Sequence, residues 1–567
     1  MHTSSRFKFA SFAMSALAAV APLRAQGPTV TGDRVVMLPP FVVQGVTWRY
    51  AHPPGFEVLS RWSDSRTEAF ANAALTAGQM FDAVLPPDFQ AKLSVPTVYL
   101  LVPDNGNDAL SAPLMAQLLA HSPGAGAGSG QQPKVLFLPN LLLWDRDTLA
   151  VFFVQPGRSI DVTRMVYSDD RVRLALERRV PALPRWFIDG FCDLYRGMQF
   201  SRGAAETGMA RWVSQDQSAK LAADPDSPRQ LLPLAEVFAD PADGSTETQA
   251  HADLRLAETS LFIRWSLDGE NHPRRAALWK LVDDASAGPV TEQHFADLFG
   301  EDYFWALNDL SDYLPWALTH SLPISPPLAP ADSDIKLRDA TPAEVGRIKG
   351  DWERLEMDQV ALQHPELKPR YLEHAQETFN LAHQDDKTDP GLLGAMGLFE
   401  LDCGKPALAD PLLRAAAAGH VVRPRVYYEL VRLLFNELIS AQSGASKAQA
   451  QLSPIQAATL LGLLDQARKQ SPPLPEVYGL YSQIALAAGA NPTPAVMQVC
   501  REGARLFPGD PALLYDAAIA LASGGDLASA RDILKKGLAT RSDPQLRTRM
   551  AGLQGRLEVA LRAQGAN

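Results

Sequence analysis

Five titratable residues between positions 169 and 193 have the types and spacing that chemistry could use. Asp169 and Arg173 stand four apart, as do Asp189 and Asp193, and Asp170 adjoins the first pair. Residues four apart share one side of a helix, so each pair would project together. Two carboxylates at that spacing suit a hard cation, but a calcium-type site needs further oxygen ligands. Zinc would need imidazole or thiolate. The eleven histidines are scattered (His52, His121, His251, His272, His294 and His320 in the first part), and no two stand four apart. Cys192, Cys403 and Cys500 lie far apart and suit neither a disulfide framework nor a thiolate metal site.

Helices must position these groups. Residues 162–180 have a helical pattern, in which Met165, Asp169, Val172, Arg173 and Leu176 fall on one face. Three of the five are apolar, so Asp169 and Arg173 should point toward the interior of their domain. A second helix is expected to open within "LPRWFIDGFCDLY", residues 183–195.

Residues 184–195 resemble the ligand helix of gluzincin-type zinc peptidases, in which a "P-x-W-L-x-E-G-x-A" stretch supplies a carboxylate to the metal. Asp189 takes the ligand position. Downstream, "AETSLFIRWSLDG" (257–269) and the stretch from Arg274 to Leu314 resemble the helical part of the peptidase MA-like family, with Phe295–Gly300 at its characteristic turn. The resemblance spans roughly residues 45–318 and implies an α+β fold. The family's HExxH helix would fall on Asp169-Asp170-Arg171-Val172-Arg173, where both histidines and the catalytic glutamate are missing. An arginine carries no acceptor and cannot ligate a cation. The resemblance therefore implies a degenerate metal site at Asp169, Asp170, Arg173 and Asp189, with no catalytic residue, metal or cofactor. The expectation is that the Arg173 guanidinium lies between Asp169 and Asp189, where the metal would be.

The rest of the chain supplies context. Arg6 and Lys8, an apolar run from Phe9 to Pro22 and a small residue at Ala25 read as a secretory signal peptide over 1–25, which implies a periplasmic or secreted protein. The run is shorter than the roughly 20 residues of a membrane-spanning helix. Removing it takes the formal charge from −11 to −14. That balance argues against nucleic acid as a partner.

The sequence divides into a peptidase MA-like α+β domain (26–321), a Pro-rich linker (322–334) and an all-α region (335–567). Strands are expected in "RVVMLPPFVVQG", "FEVLSRW", "PTVYLLVP" and "KVLFLP", a helix over 66–85, and a flexible loop over 124–133. In the last region, Pro390 and Pro424 are 34 apart, and Pro511 and Pro544 are 33 apart. Small residues recur within these units: Gly397, Ala409 and Ala416 in one, Ala518, Ala530 and Gly537 in the other. The pattern resembles tetratricopeptide repeats, best over 510–543, with an insertion at 440–453. It implies a helical solenoid that binds a protein or peptide. Two functions follow: an exported, inactive peptidase-like scaffold, or a metal-dependent hydrolase built on Asp169, Asp170, Asp189 and Asp193.

Overall fold

The computed structural model describes residues 47–86, 89, 93–103, 140–155, 166–201, 204–214, 223, 231–239, 247–268, 273–324, 335–363, 365, 368–441, 451–489, 491–540 and 542–565. The signal-peptide expectation, the strands at 34–45 and 134–139, the loop at 124–133, and Met165, His121 and His272 lie outside them. The described chain forms two compact units. One contains residues up to 67, 92–159 and 335–567, and the other contains 68–91 and 160–334. The first unit thus draws on both sides of the Pro-rich stretch. The start of that stretch is itself a short strand, Leu322–Pro323, within the second unit.

The first unit begins with a six-stranded sheet. Its strands are β1 (Arg49–Ala51), β2 (Phe56–Ser60), β3 (Thr97–Pro103), β4 (Asn140–Trp144), β5 (Leu149–Gln155) and β9 (Arg338–Asp339), in the order β4-β5-β3-β2-β1-β9. β2, β3 and β5 run parallel, with Leu59 beside Leu100 and Tyr99 beside Val151. β9 was not expected: beyond the linker the sequence has no β-like run. Two residues suffice because β1 offers a ready edge, pairing Arg49 with Asp339.

Helix α9 (Pro342–Gln363) covers the sheet. Val345, Ile348, Trp352 and Leu355, spaced three or four apart, bury against Trp48, Tyr50, Leu59, Leu100 and Leu143.

The helical region expected over 335–567 is an array of hairpins. α9 packs on α10 (Lys368–Asp385), α11 (Pro390–Asp402) on α12 (Pro406–Ala418), and α13 (Pro424–Ala441) on α14 (Pro454–Arg468). α15 (Pro475–Ala487) follows with α16 (Pro494–Leu506), then α17 (Pro511–Ser523) with α18 (Leu527–Ala539), and α19 (Pro544–Gly565). First helices also pack on one another, α9 on α11, α11 on α13, α13 on α15, and so on to α19.

Local chemistry sets these starts. Proline opens most of the helices, where its missing N–H costs nothing. Asp389, Ser453, Thr493, Asp510 and Asp526 cap the next turn. The small residues serve close approach: a Cβ on Gly397 would sit 2.7 Å from Leu413 of α12.

The second unit contains most of α1 (Asp64–Val84), then α2 (Asp169–Glu177), α3 (Arg185–Arg196), α4 (Leu234–Val237), α5 (Gln249–Leu267), α6 (Pro273–Ala285), α7 (Glu292–Phe299) and α8 (Tyr303–Ala317). A small sheet joins β6 (Met198–Ser201), β7 (Ala204–Thr207) and β8 (Leu322–Pro323). Its core is aromatic, built on Trp186, Phe187, Phe191, Phe262, Trp265 and Phe295. Arg264, fully buried on α5, holds the sheet by donating to Thr207 Oγ1 at 2.9 Å and to the carbonyls of Gly208 and His320.

Candidate functional site

Helices α2 and α3 bring the candidate residues together. Ser168 caps α2 by accepting from the Arg171 N–H, and Asp169 and Asp170 occupy its first turn, where the helix dipole favours negative charge. Val172 and Leu176 are buried, but Asp169, which the same face should turn inward, has a side chain 41% exposed. On α3 the apolar positions are so dense that Trp186, Phe187, Ile188, Phe191, Cys192, Leu194 and Tyr195 are all buried. Gly190 lets α3 lie directly on α5: an added Cβ would come 2.5 Å from Thr259 Cγ2 and 3.0 Å from Ile263 Cδ1.

Arg173 and Asp189 meet as the sequence suggested, with Nη1 donating to Oδ1 at 2.7 Å. Burial, the largest single effect, lowers the Arg173 pKa, but the bond to Asp189 and the neighbouring negative charges together outweigh it and the net shift is upward. The other half of the expectation fails. Asp169 does not face Arg173; it accepts from Arg196 Nε at 3.2 Å. The second carboxylate near Arg173 is Glu177, at 3.6 Å and one turn further along α2. An acid four residues before its base is the slightly better order, but that preference is worth only about 0.2–0.5 kcal/mol and does not hold Asp169 against Arg196. Asp170 is exposed.

Asp189 also has Arg185 Nε at 3.5 Å. Asp193 turns elsewhere, toward Ser260 and Arg196, and burial raises its carboxyl pKa. Cys192 beneath the pair is buried, which pushes its thiol up to about 12 and leaves it unreactive. Among the described residues, no three His, Cys, Asp or Glu side chains converge as a metal-binding group.

Beside the pair is a cleft of about 270 Å3, lined by Arg173, Trp186, Asp189, Arg196, Asp253 and Arg255 among others. Arg255 is held by Glu247 through Nε at 3.1 Å and Nη2 at 3.2 Å. Glu177, Arg196, Glu247 and Arg255 were not singled out in the sequence, because nothing local marks which charged residues on neighbouring helices will converge.

Packing should matter more here than the ion pair. Asp189 is 27% exposed and Arg173 33%, so water screens the bond, and Asp189→Asn is expected to cost about 1 kcal/mol or less. Gly190→Ala forces α3 off α5 and should cost about 1–3 kcal/mol. Thermal melts of the two variants test the ranking; a larger loss for Asp189→Asn would reverse it.

No protein-family profile matches the sequence, and no curated protein matches it. Solved structures overlay in part on the chain. YrrB, described as a TPR protein with an unusual peptide-binding site, is 15% identical with a TM-score of 0.26, over 37% of this chain and 99% of that one. TTC0263, a thermophilic TPR protein of Thermus thermophilus, is 17% identical with a TM-score of 0.25, over 35% and 97%. Pseudomonas aeruginosa pilF is 18% identical with a TM-score of 0.25, over 38% and 91%. Scores this low carry no argument about function. The helices make the stronger case: hairpins whose starting prolines at 390 and 424, 475 and 511, and 511 and 544 are 34, 36 and 33 residues apart form a tetratricopeptide-like repeat. No helix among the described residues is long and apolar enough to cross a membrane.

Proposed function

We propose that this is an exported protein-binding scaffold in which the helical array engages a partner protein or peptide and the second unit is a peptidase MA-like domain without catalysis. The observation that carries the binding role is the succession of first helices, α9 to α19, each packed on the next. On its later part, Gln483 of α15 donates to Asp516 of α17 at 2.8 Å. Tyr515 beside them lies in the field of Arg549 and Arg556 of α19. Such a face, polar with partly exposed aromatic groups, suits an extended peptide.

The loss of catalysis is argued from the degenerate positions Asp169, Asp170, Arg173 and Asp189. A guanidinium bound to the one candidate ligand carboxylate already supplies the positive charge there. Export, to the periplasm or beyond, rests on the first 25 residues.

Peptide-display selection against the full chain tests the binding role. A recurring motif should emerge that binds the purified protein and weakens about tenfold, or about 1.4 kcal/mol, on Tyr515→Ala or Gln483→Ala. Failure to enrich any motif counts against the scaffold. Metal analysis should find substoichiometric zinc. Proteolysis abolished by a chelator and by Asp189→Ala would overturn the inactive reading in favour of a metallohydrolase.

A further inference from the structure

Helix α8 is apolar on more than its buried side. Ala306, Leu310, Leu314 and Ala317, three or four apart, pack into the core of the second unit. A surface helix normally turns polar groups the other way. Here Phe304 is 65% exposed, Trp305 61% and Trp316 37%. Single apolar residues at a surface are ordinary. Yet every exposed Phe or Trp among the described residues is on this one helix.

The charges on the helix have one sign. Trp305, Asp309, Asp312 and Trp316 stand at i, i+4, i+7 and i+11, which sets them along one stripe. α8 contains no Lys, Arg or His. Asp302 caps it, accepting the Trp305 N–H at 3.0 Å, and Glu301 precedes the cap. Burial and then Asp309 raise the Glu301 carboxyl pKa despite Arg274, so negative charge at this end is in excess. Aromatic exposure alone would suit any apolar partner; carboxylates on the same stripe select a basic one.

The two tryptophans differ in what already covers them. His320 stacks on Trp316 at 5.0 Å, and the Arg264 guanidinium lies 5.7 Å from the same ring. Trp305 has only Phe304, edge-on at 5.4 Å, and no cation over it among the described residues. Asp309, one turn along, has no ion pair among them either. Residues four apart on a helix have Cβ atoms about 5–6 Å apart. A guanidinium laid on the Trp305 indole would therefore reach the Asp309 carboxylate. Indole is the best aromatic acceptor for a cation, and a planar guanidinium suits both the ring face and the carboxylate, which a compact ammonium does not.

We propose that the exposed stripe of α8 docks an arginine-bearing segment of a partner protein, one guanidinium being held between the Trp305 indole and the Asp309 carboxylate. The site belongs to the second unit and does not depend on the helical array binding anything.

The test titrates the full chain with a labelled oligo-arginine peptide and with oligo-lysine of equal length, reading anisotropy at low salt. Trp305→Ala should weaken oligo-arginine binding about fivefold, the loss of one cation–π contact, and oligo-lysine binding less. Asp309→Asn should weaken both about threefold. Because both side chains hold the same guanidinium, the double variant should lose less than the product of the single losses. Trp305→Phe, which keeps a ring, should retain most of the affinity, and Tyr515→Ala on the array should change nothing. Both stripe residues are exposed, so melts should superimpose on the wild type. Equal oligo-arginine binding by wild type and Trp305→Ala, or an equal loss on Tyr515→Ala, overturns the proposal and leaves only general attraction to an acidic chain. A wild type that sediments as a dimer and a Trp305→Ala variant that sediments as a monomer would assign the stripe to a second copy and overturn it too.

Discussion

Asp145→Asn is expected to lower the stability of the first unit by about 3–5 kcal/mol, the largest effect of any single carboxylate considered. Burial pushes the Asp145 carboxyl pKa upward, but Arg425, Arg354 and Arg423 outweigh it and hold the pKa well below the usual aspartate range. Two of those guanidiniums bind it directly. Removing the charge strands Arg354 and Arg425 with only Asp351, Asp402 and the more distant Glu429. A depressed pKa gives stability that is present above the ordinary aspartate pKa and is lost as pH falls through the folded value. The difference between wild type and variant should therefore be full at neutral pH and shrink only in strong acid.

Asp147→Asn should behave otherwise. Asp145, Asp147, Asp351 and Asp402 surround three guanidiniums, Glu429 lies a further 3.8 Å from Arg425, and the carboxylate left least balanced is Asp147, whose pKa is raised by burial and by Asp145 despite Arg423. An amide there keeps an acceptor for the Arg425 N–H and removes a charge that is costly to bury. Its cost should be the smaller of the two at neutral pH, having declined as pH climbs from the ordinary aspartate pKa toward the raised folded value. Denaturant melts of both variants across pH check this; equal losses would contradict the uneven division of charge.

Glu258→Gln should produce the second large effect, one that changes with pH. Glu258 is fully buried on α5, accepts the Leu232 N–H at 2.7 Å, and has no hydrogen-bond partner for its other oxygen among the described residues. Burial pushes its carboxyl up to about 8. An acid with a raised pKa holds its proton in the folded state after the unfolded chain has released it, so stability declines as pH rises from about 4.5 to about 8. At about 1.4 kcal/mol per unit, the penalty above pH 8 is about 3–5 kcal/mol.

Glutamine can still accept from Leu232 and cannot ionise. The variant should match or fall slightly below the wild type near pH 4.5, then exceed it increasingly toward pH 8. Melting temperatures of the second unit at several pH values measure the divergence. Parallel curves would mean that Glu258 is ionised in the folded protein.

The helical array was legible because its signals are short-range. Prolines at helix starts, the caps at Asp389 and Asp510, and the small residues Gly397 and Ala530 sit within one hairpin of what they govern. The strands at 56–60 and 97–103 and the helix opening near residue 64 follow from local pattern too. β4 and β5 were missed because "NLLLW" and "LAVFFVQ" are apolar runs without alternation, which buried strands share with buried helices. At the candidate site, Arg173 and Asp189 could be paired from two adjacent helices and a family resemblance. Asp169 could not be assigned, because its partner, Arg196, lies at the far end of α3.

By itself, then, the sequence determined the helical hairpins, the α2–α3 element and the absence of any two histidines four apart. Periodicity, capping and residue type decide those features within about forty residues. The tertiary structure alone decided which charges far apart in the sequence meet. Arg425 reaches Asp145 across 280 positions and Arg354 reaches it across 209, and no local pattern encodes such a pairing. Buried charge must find its complement wherever the folded chain brings one within a few ångströms.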